Sequence, residues 1–217
     1  MGDCPTNLKP QCSTSLYADD TSIWATNTQV NAAVTDLQQE IWALTDWTAT
    51  KRIKFEPKKT YLLGCHRDLT KRKDIKEHTI YLNRDNTEPL QWVPHAKLLG
   101  LTFSETGTFH HHFKISIGKC MARIRNLWRF AGYVPGPNLM QVYRTAIEPI
   151  LLYGTEVIYE TLSPIVLKKL LAVEYAAIRV AYKLDRNATI AECLATHQGE
   201  SIIAEIERSD SGARNSS

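Results

Sequence analysis

The chain has 217 residues, 43% hydrophobic and 23% charged, with a formal net charge of +3, which is ordinary for a globular protein of one large or two small domains. No apolar run is long enough to span a bilayer, and the N-terminus lacks the apolar core of a signal peptide. The five cysteines are scattered without CxxC spacing, so we expect reduced thiols in an intracellular protein, with nucleus and cytoplasm both open.

The charges are distributed unevenly along the chain. Residues 1–50 hold six acids and one base, whereas residues 51–76 hold ten bases and three acids. Residues 114–129 contain no acid, and their five bases are Lys114, Lys119, Arg123, Arg125 and Arg129. An acidic segment followed by basic surfaces fits a protein that handles a polyanion through cations, and a merely solvated surface is the alternative.

The first structural element is predicted around the sequence SLYADDTSI, residues 15–23. Tyr17, Ile23 and Trp24 favour strand and aspartate tolerates a turn, so the pattern predicts a β-hairpin with Asp19 and Asp20 at its tip. Adjacent carboxylates repel each other unless a cation or solvent separates them. The pair is therefore either a solvated turn or a magnesium site.

Helical spacing of apolar residues then predicts an amphipathic helix from Val30 to about Trp47, capped by Asn27 or Thr28. Short strands are expected at 53–55 and 60–63 with a turn at 56–58 between them, followed by a charged connection over 66–77. The segment HTIYLN at 78–83 and a turn come next, and 95–103 is a third strand-like run, in which Gly100 suits a bulge or a close backbone approach. The first hundred residues are therefore predicted to be α+β, with one helix packed on an antiparallel sheet.

The second half of the chain has the periodicity of helices. The first runs from Phe113 to Trp128 and is ended by the sequence GYVPGPN, residues 132–138. The second spans 139–147 and is stopped or kinked by Pro149. Ser163 and Pro164 cap and open the third, and a short helix is expected over 189–197. These patterns predict an all-helical domain with a flexible tail over 201–217.

Four sequence blocks in this order resemble a known family of polymerases. The strings YADDT at 17–21, KFEPKKTYLLG at 54–64 and KLLGLTF at 97–103 resemble the palm of a reverse transcriptase. The string QVYRTAIEPILLYG at 141–154 is similar to the post-palm region of non-LTR, LINE-type retrotransposon polymerases of the Jockey type. The resemblance covers roughly residues 15–195. It implies a lead-in at 1–14, a partial palm at 15–106 and a helical thumb with its connection at 107–200.

The resemblance also implies roles for residues of the palm. Asp19 would be the principal ligand and Asp20 the less essential ligand of two Mg²⁺ ions that promote nucleotidyl transfer. Lys59 would protonate the departing pyrophosphate, with Lys58 as the competing candidate and a solvated turn lysine as the alternative. Tyr17 would lie near the primer end, or it is a buried strand tyrosine.

Further residues are implied to contact nucleic acid. Lys97 and Gly100 would approach the primer duplex, and a basic surface of the thumb would contact phosphates without reading sequence: Lys119, Arg123, Arg125 and Arg129. The implied partners are an RNA template, a DNA primer and dNTP, without a membrane. The triplet His110 to His112 does not predict a zinc site, because consecutive histidines on a helix cannot all face one ion.

Parts of a complete polymerase do not fit within this sequence. The fingers and a third carboxylate from an earlier palm strand cannot be accommodated in the residues before Asp19. We therefore expect part of an RNA-directed DNA polymerase that holds Mg²⁺ weakly and is inactive alone. The alternative is a non-catalytic, nucleic-acid-binding relic of a mobile element.

Overall fold

The computed structural model describes residues 10–158 and 162–196. Helices and small sheets are both present, which confirms the α+β class. The chain divides into two compact units, residues 1–108 and 109–217, called unit 1 and unit 2. The predicted flexible tail at 201–217 and most of the predicted lead-in lie outside the described residues. Within the described ranges, every helix is too short or too polar to cross a membrane.

Unit 1 begins with an antiparallel hairpin of β1 (Cys12–Tyr17) and β2 (Asp20–Ala25), which confirms the predicted hairpin. The helix α1 (Val30–Thr50) follows, and it ends three residues later than the predicted end at Trp47. The remaining elements are a 3₁₀ turn (Pro57–Lys59), β3 (Tyr61–Leu62), α2 (Leu69–Glu77), β4 (Gln91–Trp92), β5 (His95–Leu98) and β6 (Leu101–Ser104).

The sheet of unit 1 differs from the predicted one. The described strands form three separate two-stranded sheets, β1–β2, β3–β4 and β5–β6, and the β3–β4 pair is parallel. The run at 95–103 is a hairpin rather than one bulged strand. Leu99 and Gly100 form its turn with φ of 46° and 84°, the positive values that a two-residue type I′ loop requires.

Other local predictions for unit 1 were wrong. Residues 53–55 form no strand. The connection at 66–77 contains α2, because the Asp68 carboxylate accepts a hydrogen bond from the Thr70 amide at 2.8 Å and caps a helix with little apolar periodicity. Neither predicted cap holds α1, which is capped by Gln29 without a side-chain hydrogen bond.

A small hydrophobic core stabilises unit 1. Five buried side chains form it, contributed by α1, β3 and the segment 80–90: Ile41, Leu62, Ile80, Leu82 and Leu90. Gln38 of α1 adds a polar connection, because its side-chain amide both donates to the Tyr81 carbonyl at 2.7 Å and accepts from the Tyr81 amide at 2.8 Å. The irregular segment around Tyr81 thus obtains from a helix the hydrogen bonds that a neighbouring strand would supply.

Unit 2 is helical, as the periodicity predicts. Its helices are α3 (His110–Trp128), α4 (Gly136–Ala146), α5 (Glu148–Leu152), α6 (Thr155–Ile158), α7 (Pro164–Tyr182) and α8 (Ile190–Thr196). Pro149 lies in the first turn of α5, so it separates α5 from α4 as expected. The predicted cap of α7 is confirmed, since the Ser163 hydroxyl accepts from the Val166 amide at 3.4 Å.

The core of unit 2 is much larger than that of unit 1. It contains eighteen buried residues, and α3 and α7 contribute most of them, including Phe113, Cys120, Leu170 and Ile178. Gly136 allows α4 to approach α7 closely, because a Cβ there would lie 2.8 Å from the Tyr182 ring and 2.9 Å from the Ala181 carbonyl oxygen. This tight packing fixes the start of α4 against the end of α7.

Candidate metal hairpin and basic surfaces

The two adjacent aspartates lie where β1 turns into β2. Tyr17 pairs with Asp20, so the turn consists of Ala18 and Asp19 alone, and Asp20 is the first residue of β2 rather than part of the tip. Of the two turn residues only Ala18 has a positive φ, 52°, the φ pattern of a type II′ turn. Glycine would adopt this positive φ at a lower free-energy cost than alanine does. The backbone at Ala18, next to Asp19, is therefore strained.

The hairpin has one buried and one exposed face. Alternation along the strands directs Cys12, Leu16 and Ile23 towards the interior, where Ile23 packs on the unit 1 core. Tyr17 and Asp20 form a cross-strand pair on the other face, and Tyr17 is 65% exposed. The alternative of a buried strand tyrosine is therefore wrong. Both Asp19 and Asp20 are exposed to solvent.

Trp24 shares the exposed face with Tyr17 and Asp20, and we did not single it out from the sequence. It is 50% exposed and pairs with Ser13. The signal that could have found it is the period of two along β2, which aligns positions 20, 22 and 24 on one face. The exposed face thus carries Tyr17 opposite Asp20 next to the turn, and Trp24 lies two residue pairs further along the same face.

Lys58 and Lys59 belong to the 3₁₀ turn before β3, and both are exposed. The turn is held by Glu56, whose carboxylate accepts from the Lys58 amide at 3.4 Å and whose carbonyl accepts from the Lys59 amide at 2.9 Å. This geometry fixes the backbone and leaves both ammonium groups in solvent. Among the described residues, no hydrogen bond or ion pair joins either lysine to Asp19 or Asp20.

Lys97 and Gly100 lie on the β5–β6 hairpin. Lys97 pairs with Thr102 and its side chain is exposed, while Gly100 is the second turn residue. The positive φ at Leu99 is uncommon for a bulky residue and costs about 1–2 kcal/mol, so this turn is strained. The role of Gly100 shown here is to form the turn.

The basic run at 51–76 is only partly available to a ligand. Glu105, which follows β6, accepts a hydrogen bond from Lys76 and lies 3.8 Å from the Arg72 Nε. Arg72 and Lys76 thus fasten α2 to the end of β6. The other bases of α2, Lys71 and Lys73, are exposed.

The bases of α3 divide into two groups around the helix. At 100° per residue, Lys114, Arg125 and Arg129 fall within about 60° of one another on the exposed side. Lys119 and Arg123 lie on the flank of α3, next to its buried face. The predicted continuous basic surface is therefore two surfaces, and Lys114 belongs with Arg125 and Arg129.

Arg123 has a structural partner. Its guanidinium donates to the Ala146 carbonyl oxygen at 2.7 Å, the last residue of α4. A cation at a helix C-terminus satisfies a carbonyl that lacks an intrahelical partner and interacts favourably with the helix dipole. Arg123 is thus less free to contact phosphate than Arg125 and Arg129.

The histidine triplet at the start of α3 occupies three environments. His112 is 6% exposed, whereas His110 is exposed and His111 is half-buried. Burial lowers the pKa of His112, and the nearby Lys119 charge acts in the same direction, opposed by a hydrogen bond to the Tyr153 backbone. His112 is therefore held neutral inside unit 2.

In residues 10–158 and 162–196, no three His, Cys, Asp or Glu side chains are grouped so that they could share an ion. The four cysteines of this part, Cys12, Cys65, Cys120 and Cys193, are free thiols.

No protein-family model, curated protein or solved structure matches the chain.

Proposed function

We propose that the chain is the later part of the polymerase region of an RNA-directed DNA polymerase from a non-LTR retrotransposon. In this proposal residues 15–106 are a partial palm and residues 107–200 a thumb with its connection. The observation that carries the proposal is the strained two-residue turn that presents Asp19 and Asp20 to solvent beside Tyr17. Adjacent carboxylates repel each other unless a cation or solvent separates them, and strained backbone is often found at functional sites.

The donor atoms of the hairpin fit magnesium. Mg²⁺ is a hard cation that is commonly bound through one or two carboxylates together with water and substrate phosphates. The two exposed aspartates would supply the carboxylates. When bound, Mg²⁺ stabilises the attacking and leaving oxygens of a displacement at phosphorus. Asp19, in the turn, is the principal ligand, and Asp20, fixed in the ladder opposite Tyr17, is the second.

Other residues of unit 1 have roles that need no metal contact. Lys59 donates a proton to the departing pyrophosphate, and its solvent-exposed ammonium on a fixed turn is compatible with that role. Tyr17 stacks near the primer end, and Lys97 contacts the backbone of the primer duplex. Among the residues that the structure describes, no third carboxylate joins Asp19 and Asp20, so we expect the chain alone to bind Mg²⁺ weakly and not to synthesise DNA.

The metal site can be tested with Mn²⁺ as a paramagnetic probe in amide-resolved NMR. We expect low Mn²⁺ concentrations to broaden the amide signals of residues 17–21 first, and Asp19→Asn to remove this effect. The matched control is Asp74→Asn, because Asp74 is an exposed aspartate of α2 in the same unit. Broadening that is uniform over all exposed acids, or unchanged by Asp19→Asn, would show that the hairpin is not a metal site.

The inactivity of the chain alone needs a separate assay. Purified protein is incubated with a primed RNA template, Mg²⁺ and labelled dNTP. We expect no template-dependent incorporation. Incorporation that Asp19→Ala abolishes would overturn the inactivity and support catalysis by this hairpin.

A second function, nucleic-acid binding without catalysis, is favoured by the charge of α3. No acidic residue occurs between Glu105 and Glu148, whereas this stretch carries four bases of α3 and the adjoining Arg129, all exposed. Such a surface attracts phosphates and releases their counterions, so binding should weaken steeply with salt. If the Mn²⁺ experiment fails and salt-dependent binding is found, this second function replaces the first.

A further inference from the structure

Three aromatic side chains are exposed where α3 ends. Trp128 is 71% exposed, Phe130 54% and Tyr133 89%. Large aromatic residues normally bury much of their surface, so three exposed ones on one short segment are unusual. We call Trp128, Phe130 and Tyr133 the aromatic patch.

Backbone hydrogen bonds and packing on the core hold the segment that carries the aromatic patch. Beyond α3 the chain continues in tight turns, with the Ala131 amide donating to the Trp128 carbonyl at 3.2 Å and the Tyr133 amide to the Phe130 carbonyl at 2.9 Å. Ala131 is 6% exposed and belongs to the unit 2 core, on which Val134 also packs. Ala131 and Val134 thus anchor the segment on the core, while the aromatic side chains before and between them are exposed to solvent.

The surroundings of the aromatic patch are cationic. Arg125 lies in the last turn of α3 and Arg129 directly follows the helix, and both are exposed. The nearest acids in the sequence are Glu105 and Glu148. The patch therefore combines aromatic faces with positive charge, which complements the bases and phosphates of an unpaired nucleic-acid strand.

We propose that the aromatic patch, together with Arg125 and Arg129, binds a single-stranded segment of nucleic acid by stacking its bases on Trp128 and Tyr133. In duplex the bases already stack on one another, so the aromatic contribution is specific to unpaired strands, whereas the arginines contact phosphates of either form. The inference rests on the nucleic-acid-binding part of the proposed function and is independent of the metal hairpin.

The test compares the full chain and its variants in binding a fluorescent 12-nucleotide oligothymidine and a 12-base-pair duplex. We expect tighter binding of the single strand, and we expect Trp128→Ala and Tyr133→Ala each to weaken it by about 5- to 150-fold. The affinity of these two variants for the duplex should change less than threefold. Trp128→Phe should keep much of the single-strand affinity that Trp128→Ala loses. The matched control is Tyr153→Ala, which removes a 53% exposed tyrosine of the same unit.

Salt dependence separates stacking from charge. Arg125→Gln and Arg129→Gln should each reduce the slope of log K against log salt, while Trp128→Ala should lower affinity and leave the slope unchanged. Lys168→Gln, an exposed lysine of α7, is the charge control. Equal losses on single strand and duplex, no loss in Trp128→Ala, or no oligonucleotide binding by the unaltered chain would overturn the proposal. None of these outcomes bears on the Mn²⁺ test, so the two proposals fail separately.

Discussion

Arg123 is the residue of α3 whose replacement best separates support of the fold from binding of nucleic acid. Its guanidinium donates to the Ala146 carbonyl oxygen at 2.7 Å. A hydrogen bond of this kind in an exposed setting contributes about 1 kcal/mol, and the favourable charge at the end of α4 contributes about 0.3–1 kcal/mol. We therefore expect Arg123→Met to lower the free energy of unfolding by about 1–2 kcal/mol, since methionine retains helix propensity and an apolar stem.

The assay is urea unfolding followed by circular dichroism, with the midpoint compared at constant m. Arg125→Met is the matched control, because Arg125 is exposed on the same helix, and we expect it to change stability by less than about 0.5 kcal/mol. In nucleic-acid binding, Arg125→Met should have the larger effect. It should reduce the slope of log K against log salt by about one, and Arg123→Met should reduce this slope by less. Unchanged stability in Arg123→Met, with a slope loss equal to that of Arg125→Met, would refute a structural role for Arg123.

Four further substitutions are tested by equilibrium unfolding. Leu99→Gly should stabilise unit 1 by about 1 kcal/mol, because glycine adopts the positive φ of this turn without strain and Leu99 is already 43% exposed; destabilisation would show that its side-chain contacts outweigh the strain. Gly136→Ala should lower the free energy of unfolding by about 1–3 kcal/mol, because the added Cβ would clash with the Ala181 backbone. Gly118 of α3 has open space around it, so Gly118→Ala should raise the free energy of unfolding by about 0.5–1 kcal/mol. Burial lowers the pKa of His112 in the folded chain below the value of 6.5 that it has when unfolded. Protonation of His112 therefore favours unfolding, so the free energy of unfolding should fall as the pH drops below 6.5. His112→Asn should reduce this pH dependence. A pH profile identical in both proteins would contradict the neutral, buried state of His112.

The helices could be predicted far better than the small sheets, for physical reasons visible in particular residues. The apolar period of α3 and the Ser163–Pro164 start of α7 are local signals that packing in unit 2 reinforces. Strand β3 and its partner β4 are each two residues long, and their pairing depends on contacts distant in sequence. The helix α2 was missed because its stability comes from the Asp68 cap and Glu105 rather than from an apolar face.

The candidate site was predictable in its residue types and less so in its geometry. The preference of aspartate for turns indicated the hairpin, but only the ladder register shows that Asp20 lies opposite Tyr17. The charge of α3 was evident from the sequence, whereas the engagement of Arg123 with Ala146 depends on how α4 packs.

The small core of unit 1 has a thermodynamic consequence for the hairpin that it supports. Five buried side chains form that core, against eighteen in unit 2, so unit 1 should open at a lower free energy and its amides should exchange with solvent faster. A ligand that binds only the closed hairpin then adds its binding free energy directly to the stability of unit 1. Slower hydrogen exchange in β1, β2 and α1 would therefore reveal a weakly bound ligand long before any turnover could be measured.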